Sequence, residues 1–316
     1  MPVTIITGGS GLIGKRLTNY LLELGHKIII FSRNDKGLNN MDGVTYEKWD
    51  PENGLINTDA IAIADYIIHL AGAGVMDHKW TDEYKKQIVD SRTKSSELLF
   101  NSLKNTPNHI KAFISASAIG WYGEDKKNLS HSYGFIETDP PAKNFLGETC
   151  LLWEESVDGI FSMNIRLVKL RFGIVLSNDG GAFPEFKKSL QFGLASILGN
   201  GKQVVSWIHI DDICRMIGFC IDQEEVEGVY NAVAPEPSRN KELILETAKK
   251  MKDNFFIPVH VPKVVIEMMM GKRSFEILKS TTVNSKKIRS AGFTFLYPTL
   301  KLALEELCSN EVKDRH

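Results

Sequence analysis

Three side chains near the middle of the chain could transfer protons. Residues 117–126 read SAIGWYGEDK, which places Ser117, Tyr122 and Lys126 on one short stretch. An ammonium lowers the pKa of a nearby phenol, so a tyrosine can give or take a proton while a serine holds a substrate oxygen. The intervening GED (123–125) favours a turn, where residues four apart need not share a face. We therefore expect Tyr122 to line a cleft and Lys126 to be a solvated loop charge.

A glycine-rich turn near the amino terminus has the spacing of a phosphate-binding loop. TGGSGLIG (7–14) contains Gly8, Gly11 and Gly14 and follows a strand-like run, VTIIT (3–7). The first glycine permits a tight bend, the second lets a pyrophosphate approach the backbone, and the third allows close helix–strand packing. Free N–H groups at the helix N-terminus attract phosphates. We predict a dinucleotide site; an ordinary βα turn is the alternative.

The end of the second apolar run indicates which dinucleotide is bound. About twenty residues after the glycine turn, an NAD site places Asp or Glu against the ribose 2′-hydroxyl. This chain has Ser32, Arg33 and Asn34 there, and a guanidinium suits a 2′-phosphate. We therefore predict NADP(H), with a solvated arginine as the alternative. Asp50, before Pro51, could accept a hydrogen bond from adenine or only shape a turn.

These residues need a parallel sheet to bring them together. Apolar strand-like runs alternate with helical stretches, the runs being 3–7, 27–32, 44–49, 65–72, 111–117 and 161–176. Strands that are apolar on both faces predict a Rossmann-type doubly wound α/β sheet with a smaller mixed C-terminal lobe. We assign residues 1–234 to the Rossmann domain, with 176–203 contributing to the substrate lobe, and 235–316 to the C-terminal substrate-side domain.

Composition restricts the class of protein. The 316-residue chain is 43% hydrophobic, 24% charged and carries a net charge of −1, which leaves no basic surplus for a nucleic acid. The four cysteines lack C-x-x-C spacing, so we predict neither a metal site nor a disulfide framework. We see no signal peptide or membrane span, and expect a cytoplasmic monomer or homodimer with a small-molecule substrate.

The motifs together resemble a known family. This chain resembles the extended short-chain dehydrogenase/reductases in four motifs, which are TGGSGLIG (7–14), HLAG (69–72), ISASAIGWYG (114–123) and RFGIV (171–175). More narrowly, it resembles the atypical "epimerase family" branch in SRN (32–34), KWT (79–81), SRT (91–93), WIHIDD (207–212) and GFTFLYP (292–298). The resemblance covers nearly the whole chain and implies an NADP-binding fold with a small lobe over the nicotinamide. It implies no reaction, because this branch lacks the usual active-site residues.

The resemblance also implies roles for single residues. Ser117 matches the family position that holds a substrate carbonyl or hydroxyl, and Ser115 lies beside it. Gln87, Arg92 and Val175 match positions facing the cofactor, although a solvated amide, a surface charge and a core valine are the alternatives. The predicted cofactor-binding residues are Gly8, Gly9, Ser10, Gly11, Leu12, Ile13, Gly14, Ser32, Arg33, Asn34, Asp50, Leu70, Ala71, Gly72, Gln87, Arg92, Ser115 and Val175.

One pair of positions departs from the family. Members carry a tyrosine and, four residues later, a lysine on the helix after the fifth strand. The matching residues here are Phe145 and Thr149, which have no phenol and no charge, so the usual proton relay cannot operate. The candidate catalytic residues are therefore Ser117, Tyr122 and His209. Weaker candidates around the vacant pair are Lys143, Glu148 and Cys150.

These observations leave different functions open. The first is an NADP(H)-dependent oxidoreductase or epimerase-like enzyme acting on a small carbonyl or hydroxyl substrate, such as a sugar nucleotide. The second is a regulatory module that binds NADP(H) without turnover, which the missing Tyr–Lys pair favours. A structural protein with a relic loop is the third, and it would have no affinity for the cofactor.

Overall fold

The structure is a computed structural model that describes residues 1–33, 41–125, 133–252 and 255–309. Asn34 and Lys126, both named above, lie outside these ranges. The strands are β1 (Val3–Thr7), β2 (Lys27–Ser32), β3 (Val44–Lys48), β4 (Tyr66–His69), β5 (Ala112–Ala118), β6 (Arg166–Phe172), β7 (Ile174–Leu176), β8 (Leu194–Leu198), β9 (Val204–Val205), β10 (Trp207–His209), β11 (Gly228–Ala232), β12 (Ser238–Arg239) and β13 (Ile257–Val261).

The helices mostly alternate with these strands. They are α1 (Leu12–Glu23), α2 (Thr58–Ile63), α3 (Asp82–Asn105), α4 (Phe145–Asp158), α5 (Ala182–Leu190), α6 (Ile210–Asp222), α7 (Asn240–Lys252), α8 (Lys263–Met270), α9 (Ser274–Leu278), α10 (Lys286–Ser290) and α11 (Leu300–Leu307). Short 3₁₀ helices cover Ile119–Trp121, Gly159–Met163 and Gly271–Arg273. In the described part of the chain, no helix has both the length and the apolar character needed to cross a membrane.

Seven parallel strands form one sheet in the order β11-β6-β5-β4-β1-β2-β3. The chain builds outward from β1 to β3 on one side and from β4 to β11 on the other. The order therefore reverses between β1 and β4, and ligands of open α/β sheets bind beyond the carboxyl ends of the strands at such a point. The predicted Rossmann-type doubly wound sheet is confirmed.

The apolar runs are continuous because helices cover both faces of the sheet. On one face Ile6 and Ile68 pack with Leu17 of α1 and residues of α6. On the other face Ile5 packs with residues of α2 and α3, including Leu99. Successive strand residues point to opposite faces, so each strand contributes to both cores.

A third core cluster builds the smaller lobe from two separate parts of the chain. Leu176 and Phe183 pack there with Leu243 of α7 and Leu304 of α11. Strand β13 pairs in parallel with β8, and β12 pairs antiparallel with β9. The segment after β7 and the segment after β11 therefore share one apolar core, which lies beside the carboxyl end of the sheet.

Candidate functional site

The glycine turn between β1 and α1 is shaped by close backbone contacts. Gly8 has φ 71°, and a Cβ there would lie 2.9 Å from the carbonyl carbon of Leu70. A Cβ at Gly14 would lie 2.3 Å from the Gly8 oxygen, which also accepts a hydrogen bond from Gly11 N at 3.0 Å. No side chain caps α1, and its first turn has no acidic residue. The glycines thus present no Cβ, and the uncapped start of α1 presents backbone N–H groups to an approaching anion, which fits a pyrophosphate.

Thr7 joins this turn to the one after β4. Its hydroxyl oxygen accepts hydrogen bonds from the backbone N–H groups of Leu70 and Ala71, each at 3.2 Å, and lies 2.7 Å from His69 Nδ1. Because both lone pairs are used, the hydroxyl must donate to Nδ1, so His69 carries its proton on Nε2, which faces Ser96 Oγ at 3.1 Å. Complete burial lowers the pKa of His69 to about 3. His69 is therefore a neutral structural residue.

The residues predicted to bind the adenosine end of the cofactor are only partly described by the structure. Ser32 ends β2 and is half-buried, while Arg33 follows it and is exposed. Asp50 accepts hydrogen bonds from Glu52 N at 3.1 Å and Asn53 Nδ2 at 2.7 Å, and the bond from Asn53 lowers its pKa. Asp50 thus shapes a turn, the alternative considered from sequence, and its contact with adenine stays a prediction.

Arg92 of α3 is buried under the turn after β4. It is only 9% exposed, and a Cβ at Gly72 would lie 3.1 Å from its Cζ. Its Nη1 donates to the carbonyl oxygens of Ala73 at 3.1 Å and Ile88 at 2.9 Å, and burial lowers its pKa. No carboxylate of the described residues pairs with it, so Arg92 is not the surface charge that sequence left open. Gln87, one turn earlier, is exposed.

The serines that end β5 point into the core. Ser115 Oγ donates to the carbonyl oxygen of Ala116 at 3.2 Å, and Ser117 Oγ donates to Glu154 Oε1 at 2.6 Å. Both serines are 1% exposed. The hydroxyl of Ser117 is therefore committed to a carboxylate of α4, and its position does not support the predicted role of holding a substrate.

Tyr122 belongs to the same buried polar cluster. Arg171 binds both carboxylate oxygens of Glu154, through Nε at 2.7 Å and Nη2 at 2.9 Å, and donates from Nη1 to the Tyr122 hydroxyl at 2.9 Å. The Tyr122 hydroxyl donates in turn to Asn231 Oδ1 at 2.5 Å. Burial raises the pKa of Tyr122 far above its ordinary value. The predicted proton relay is not supported, because the phenol is locked inside the protein.

His209 links β10 to two helices. Its Nδ1 accepts from Asp211 N at 3.2 Å, which caps α6, and its Nε2 lies 3.0 Å from Glu306 Oε2 of α11. The ring is 1% exposed and lies 4.0 Å from that of Tyr297. These contacts are those of a helix cap and an inter-element tie, so the predicted catalytic role of His209 is not supported by its position either.

Phe145 and Thr149 lie one turn apart at the start of α4. The Phe145 ring is half-buried and packs edge-on against Trp80, with centroids 5.0 Å apart, while Lys85 Nζ lies 5.2 Å from its centroid. The Thr149 hydroxyl donates to the carbonyl oxygen of Phe145 at 2.6 Å. At the positions where the resembled family has its Tyr and Lys, this chain thus has an aromatic pair and a satisfied hydroxyl.

The remaining candidates are placed as follows. Cys150 Sγ lies 3.6 Å from the Ala118 carbonyl oxygen, and burial raises its pKa to about 11. Lys143 and Glu148 are exposed. Val175 is half-buried in β7, opposite β10. The described residues contain no cluster of His, Cys, Asp or Glu that could hold a metal ion.

Two contacts around the cleft were not predicted. Cβ atoms at Gly180 and Gly181 would lie 3.5 and 3.3 Å from the side chain of Leu12, so the segment after β7 covers the glycine turn. Arg273 Nη1 donates to the carbonyl oxygen of Met76 at 2.6 Å, tying the smaller lobe to the loop after β4. The adjacent Gly180 and Gly181 are a turn signal that the sequence shows, whereas nothing in the sequence around Arg273 indicates its contact.

A surface hollow of about 490 Å³ lies elsewhere. Its lining includes Tyr66, Lys111 and Arg166, which stand at or just before the amino ends of strands β4, β5 and β6. It is therefore at the edge of the sheet opposite the glycine turn, and it is not the predicted dinucleotide site.

A parallel sheet that reverses at β1, with a glycine turn at the reversal, defines a Rossmann-type dinucleotide-binding protein. The sequence model of the NAD dependent epimerase/dehydratase family matches residues 4–232, and this chain belongs to that family. A domain of unknown function, DUF1731, matches residues 261–307.

Relatives of similar length support this assignment. The chain is 34% identical to "Epimerase family protein SSP1921" of Staphylococcus saprophyticus over 305 residues, which is 96% of this chain and 98% of that protein. It is 34% identical to "Epimerase family protein SAR0825" of Staphylococcus aureus over 309 residues, 98% of this chain and 100% of that protein. The predicted resemblance to the epimerase family branch is confirmed.

Solved structures share the fold. Human epimerase family protein SDR39U1 (isoform 2), crystallised with NADPH, is 25% identical with a TM-score of 0.83, and the match covers 98% of this chain and 99% of that one. UDP-N-acetylglucosamine 4-epimerase from Bacillus cereus is 17% identical with a TM-score of 0.75, covering 98% and 96% of the two chains. At that identity the second likeness concerns the fold alone.

Proposed function

We propose that the protein is an NADP(H)-dependent oxidoreductase acting on a small carbonyl or hydroxyl substrate. The observation that carries this proposal is the cradle made by Gly8, Gly11 and Gly14, which is open to an anion and closed to side chains. A guanidinium at Arg33, with no carboxylate at positions 32–34, favours the 2′-phosphate of NADP(H) over NAD(H). The human relative crystallised with NADPH supports the same choice.

The chain's own residues would divide the work of holding the cofactor. The glycine turn would bind the pyrophosphate, Arg33 the 2′-phosphate, and the backbone of 70–72 would support the rest of the cofactor. When bound, NADPH supplies a hydride. An epimerase-like reaction begins by oxidising a hydroxyl and needs a base for its proton, and Ser117, Tyr122 and His209 are all engaged in buried contacts. Reduction of an acceptor whose product is a weak base can take its proton from water, so we favour reduction over epimerisation.

Calorimetric titration with NADPH and NADH tests the cofactor assignment. The native protein should bind NADPH more tightly, and Arg33→Gln should weaken NADPH by about 10- to 100-fold, because hydrogen bonds to charged groups contribute about 1.5–3 kcal/mol. NADH, which lacks the 2′-phosphate, serves as the matched control and should be unaffected. Equal affinities for the two cofactors, unchanged by Arg33→Gln, would contradict the assignment.

A second function has an observation in its favour. The catalytic residue types at the end of β5 are locked inside the protein, as expected of a module that senses NADP(H) without turnover. Such a module would change its partner binding between NADP⁺ and NADPH and would leave NADPH unoxidised over a broad panel of carbonyl compounds. Sustained oxidation with any acceptor would exclude it. Cytoplasmic location and assembly as a monomer or homodimer stay predictions from sequence.

A further inference from the structure

We propose that the substrate is a planar, apolar carbonyl compound of the quinone type, held at the Trp80–Phe145 pair and reduced without a proton from the protein. This inference rests on the NADP(H)-dependent activity proposed above and specifies its acceptor. Three observations carry it: an aromatic surface, a set of buried proton-bearing groups committed elsewhere, and a buried cation that has no counter-charge among the described residues.

The aromatic surface lies at the carboxyl edge of the sheet. The indole N–H of Trp80 donates to the Val75 carbonyl oxygen at 2.8 Å, which fixes the ring in the loop after β4. Phe145, the first residue of α4, packs against it at 68° and 5.0 Å. Both side chains are half-buried, so part of each ring faces outward. Such a pair favours a flat apolar ligand over a polyhydroxylated one.

The buried proton-bearing side chains around this edge are not placed to protonate a substrate. Each is bonded within the protein or has its pKa displaced from neutrality. They are Ser117 with Glu154, Tyr122 with Asn231, Thr149 with the Phe145 carbonyl, His69 between Thr7 and Ser96, and Cys150 with its pKa raised to about 11. A reaction that needs a strong general acid is therefore badly served here.

The chemistry of the acceptor decides whether such an acid is needed. Hydride addition to a simple ketone leaves an alkoxide that is about as strong a base as hydroxide. Hydride transfer to a quinone leaves an aryl oxide, whose conjugate acid resembles the tyrosine phenol with a pKa of about 10. The aryl oxide is therefore a far weaker base than the alkoxide. A quinone can therefore be reduced first and protonated afterwards by water.

The reaction balances without a protein acid. The quinone gains a hydride, which is one proton and two electrons, while NADPH becomes NADP⁺. The aryl oxide so formed then takes one proton from water and leaves as the hydroquinone. What the site must supply is positive charge near the developing oxyanion.

Arg92, which lies against Gly72 in the turn after β4, is our candidate for that charge. Only its Nη1 makes hydrogen bonds among the described residues, so three of its N–H groups have no partner there. The indole N–H of Trp153, whose ring lies 4.8 Å from the guanidinium carbon, is buried and has no acceptor in the part of the chain that the structure describes. A buried cation without a counter-charge is costly, and an anion formed in the cleft beside Gly72 would offset that cost. Lys85, near the Phe145 ring, adds a second positive charge.

The first test measures binding rather than turnover. Calorimetric titration of 1,4-naphthoquinone into the NADP⁺-loaded protein should show binding, and Trp80→Leu should weaken it by about three- to tenfold, the range for an aromatic pair. Phe192→Leu, which removes an aromatic ring that is 83% exposed in the smaller lobe, is the matched control and should change nothing. No binding to the native protein, or equal losses in both variants, would overturn the proposal.

The second test measures NADPH oxidation with naphthoquinone. Arg92→Met should lower kcat by about 10²- to 10³-fold, the usual effect of losing one oxyanion donor. The exposed Arg289→Met is the control and should keep the native rate. Because no described carboxylate pairs with Arg92, its replacement should not lower the unfolding temperature. Should Arg92→Met fail to fold, Arg92→Lys replaces it and should retain more activity than Arg92→Gln.

Failure of the proposed function can be distinguished from failure of the quinone inference alone. Without NADPH binding, both the proposed function and this inference fall. If NADPH binds and simple ketones or sugar nucleotides turn over while naphthoquinone does not, only the inference is wrong. Lys85 gives a further check, since Lys85→Arg keeps the charge but not a usable proton. Lys85→Arg should lower kcat less than Lys85→Met does, and equal losses in the two variants would overturn proton-free reduction.

Discussion

At the scale of single residues, the buried pair of Arg171 and Glu154 organises the region behind the cleft. The guanidinium binds the carboxylate through two hydrogen bonds and lies 3.7 Å over the Trp121 ring. Ser117 donates to Glu154, and Arg171 also donates to the Tyr122 hydroxyl and to the Glu137 carbonyl oxygen, so both charges are buried with hydrogen-bond partners. Removing one member of such a pair leaves a buried charge without compensation.

Neutralising Glu154 should therefore be expensive. We expect Glu154→Gln to lower the free energy of unfolding by about 3 kcal/mol, measured by denaturant titration. The neighbouring Glu155 is exposed, and Glu155→Gln should leave stability nearly unchanged. If the two variants unfolded at the same denaturant concentration, the pair would not have the structural role given to it here.

The hydrogen-bond partners of Ser117, Tyr122 and His209 could not be predicted from the sequence. Each residue meets a group far along the chain: Glu154 is 37 residues from Ser117, Asn231 is 109 from Tyr122, and Glu306 is 97 from His209. Local spacing holds no information about such contacts. Local spacing did predict the glycine turn, because that turn is formed by residues close together in the chain.

His69 makes acid stability depend on one buried imidazole. Its pKa is about 3 when folded, against about 6.5 for a free histidine. The unfolded chain therefore binds more protons below about pH 6.5, so stability should fall as the pH drops from there toward 3. His69→Asn keeps an acceptor for Thr7 but cannot titrate, and should flatten this slope. His78→Asn, at an exposed position, should not; urea titrations across this pH range compare them.

Among the secondary-structure elements, the β1–α1 junction contains one glycine that faces the proposed ligand and another that lets the helix pack closely against the strand. Gly11 is exposed at φ −76°, which any residue can adopt, and a Cβ there would lie 3.2 Å from the Gly8 oxygen. Gly14 is buried where a Cβ would lie 2.3 Å from that same oxygen. The first glycine thus leaves room for a ligand, while the second leaves room for the helix.

Alanine substitutions should separate these two roles. We expect Gly11→Ala to fold with a nearly unchanged unfolding temperature and to lose most of its NADPH affinity, because its methyl group occupies ligand space. Gly14→Ala should lower the unfolding temperature markedly, since α1 must move away from β1. Thermal unfolding and NADPH calorimetry on both variants provide the measurement. Native NADPH affinity in Gly11→Ala would contradict the placement of the pyrophosphate.

Sequence patterns predicted elements better than their junctions. The alternation of apolar runs with helical stretches predicted the sheet, because strands buried on both faces must be apolar throughout. The smaller lobe was harder, since β8 and β13 are short strands from distant segments whose pairing no local period reveals. The Trp80–Phe145 contact was missed for the same reason: it joins a loop to a helix 65 residues later.

At the scale of the whole molecule, the two lobes are joined across the cleft by a few polar ties. Asp125 is the clearest of them, because its carboxylate accepts from both the N–H and the hydroxyl of Thr282, each at 2.7 Å. Arg273 makes a second tie to Met76 on the other side. The Asp125 contact holds the segment after α9 against the loop after β5, and the Arg273 contact holds the residue before α9 against the loop after β4.

Removing the carboxylate of Asp125 should loosen this connection. We expect Asp125→Ala to lower the free energy of unfolding by about 2 kcal/mol, as for hydrogen bonds to a charged group. Amide hydrogen exchange at Thr282 and Phe135 should become faster, while exchange in β1 and β4 stays slow. Glu124→Ala, an exposed neighbour, is the control. Unchanged exchange at Thr282 in Asp125→Ala would show that the tie contributes little.

The third core cluster has a consequence for the order in which the molecule is completed on the ribosome. Leu176, Phe183 and Trp207 emerge during synthesis well before Leu243 of α7 and Leu304 of α11, which complete the same core cluster. The seven-stranded sheet can close once β11 is made, but the apolar side chains of 176–207 must wait for these two helices. Until then they are open to aggregation and to chaperones. A chain that ended after β11 would keep a complete sheet and an uncovered half-core, so late termination should affect solubility before it affects the Rossmann fold.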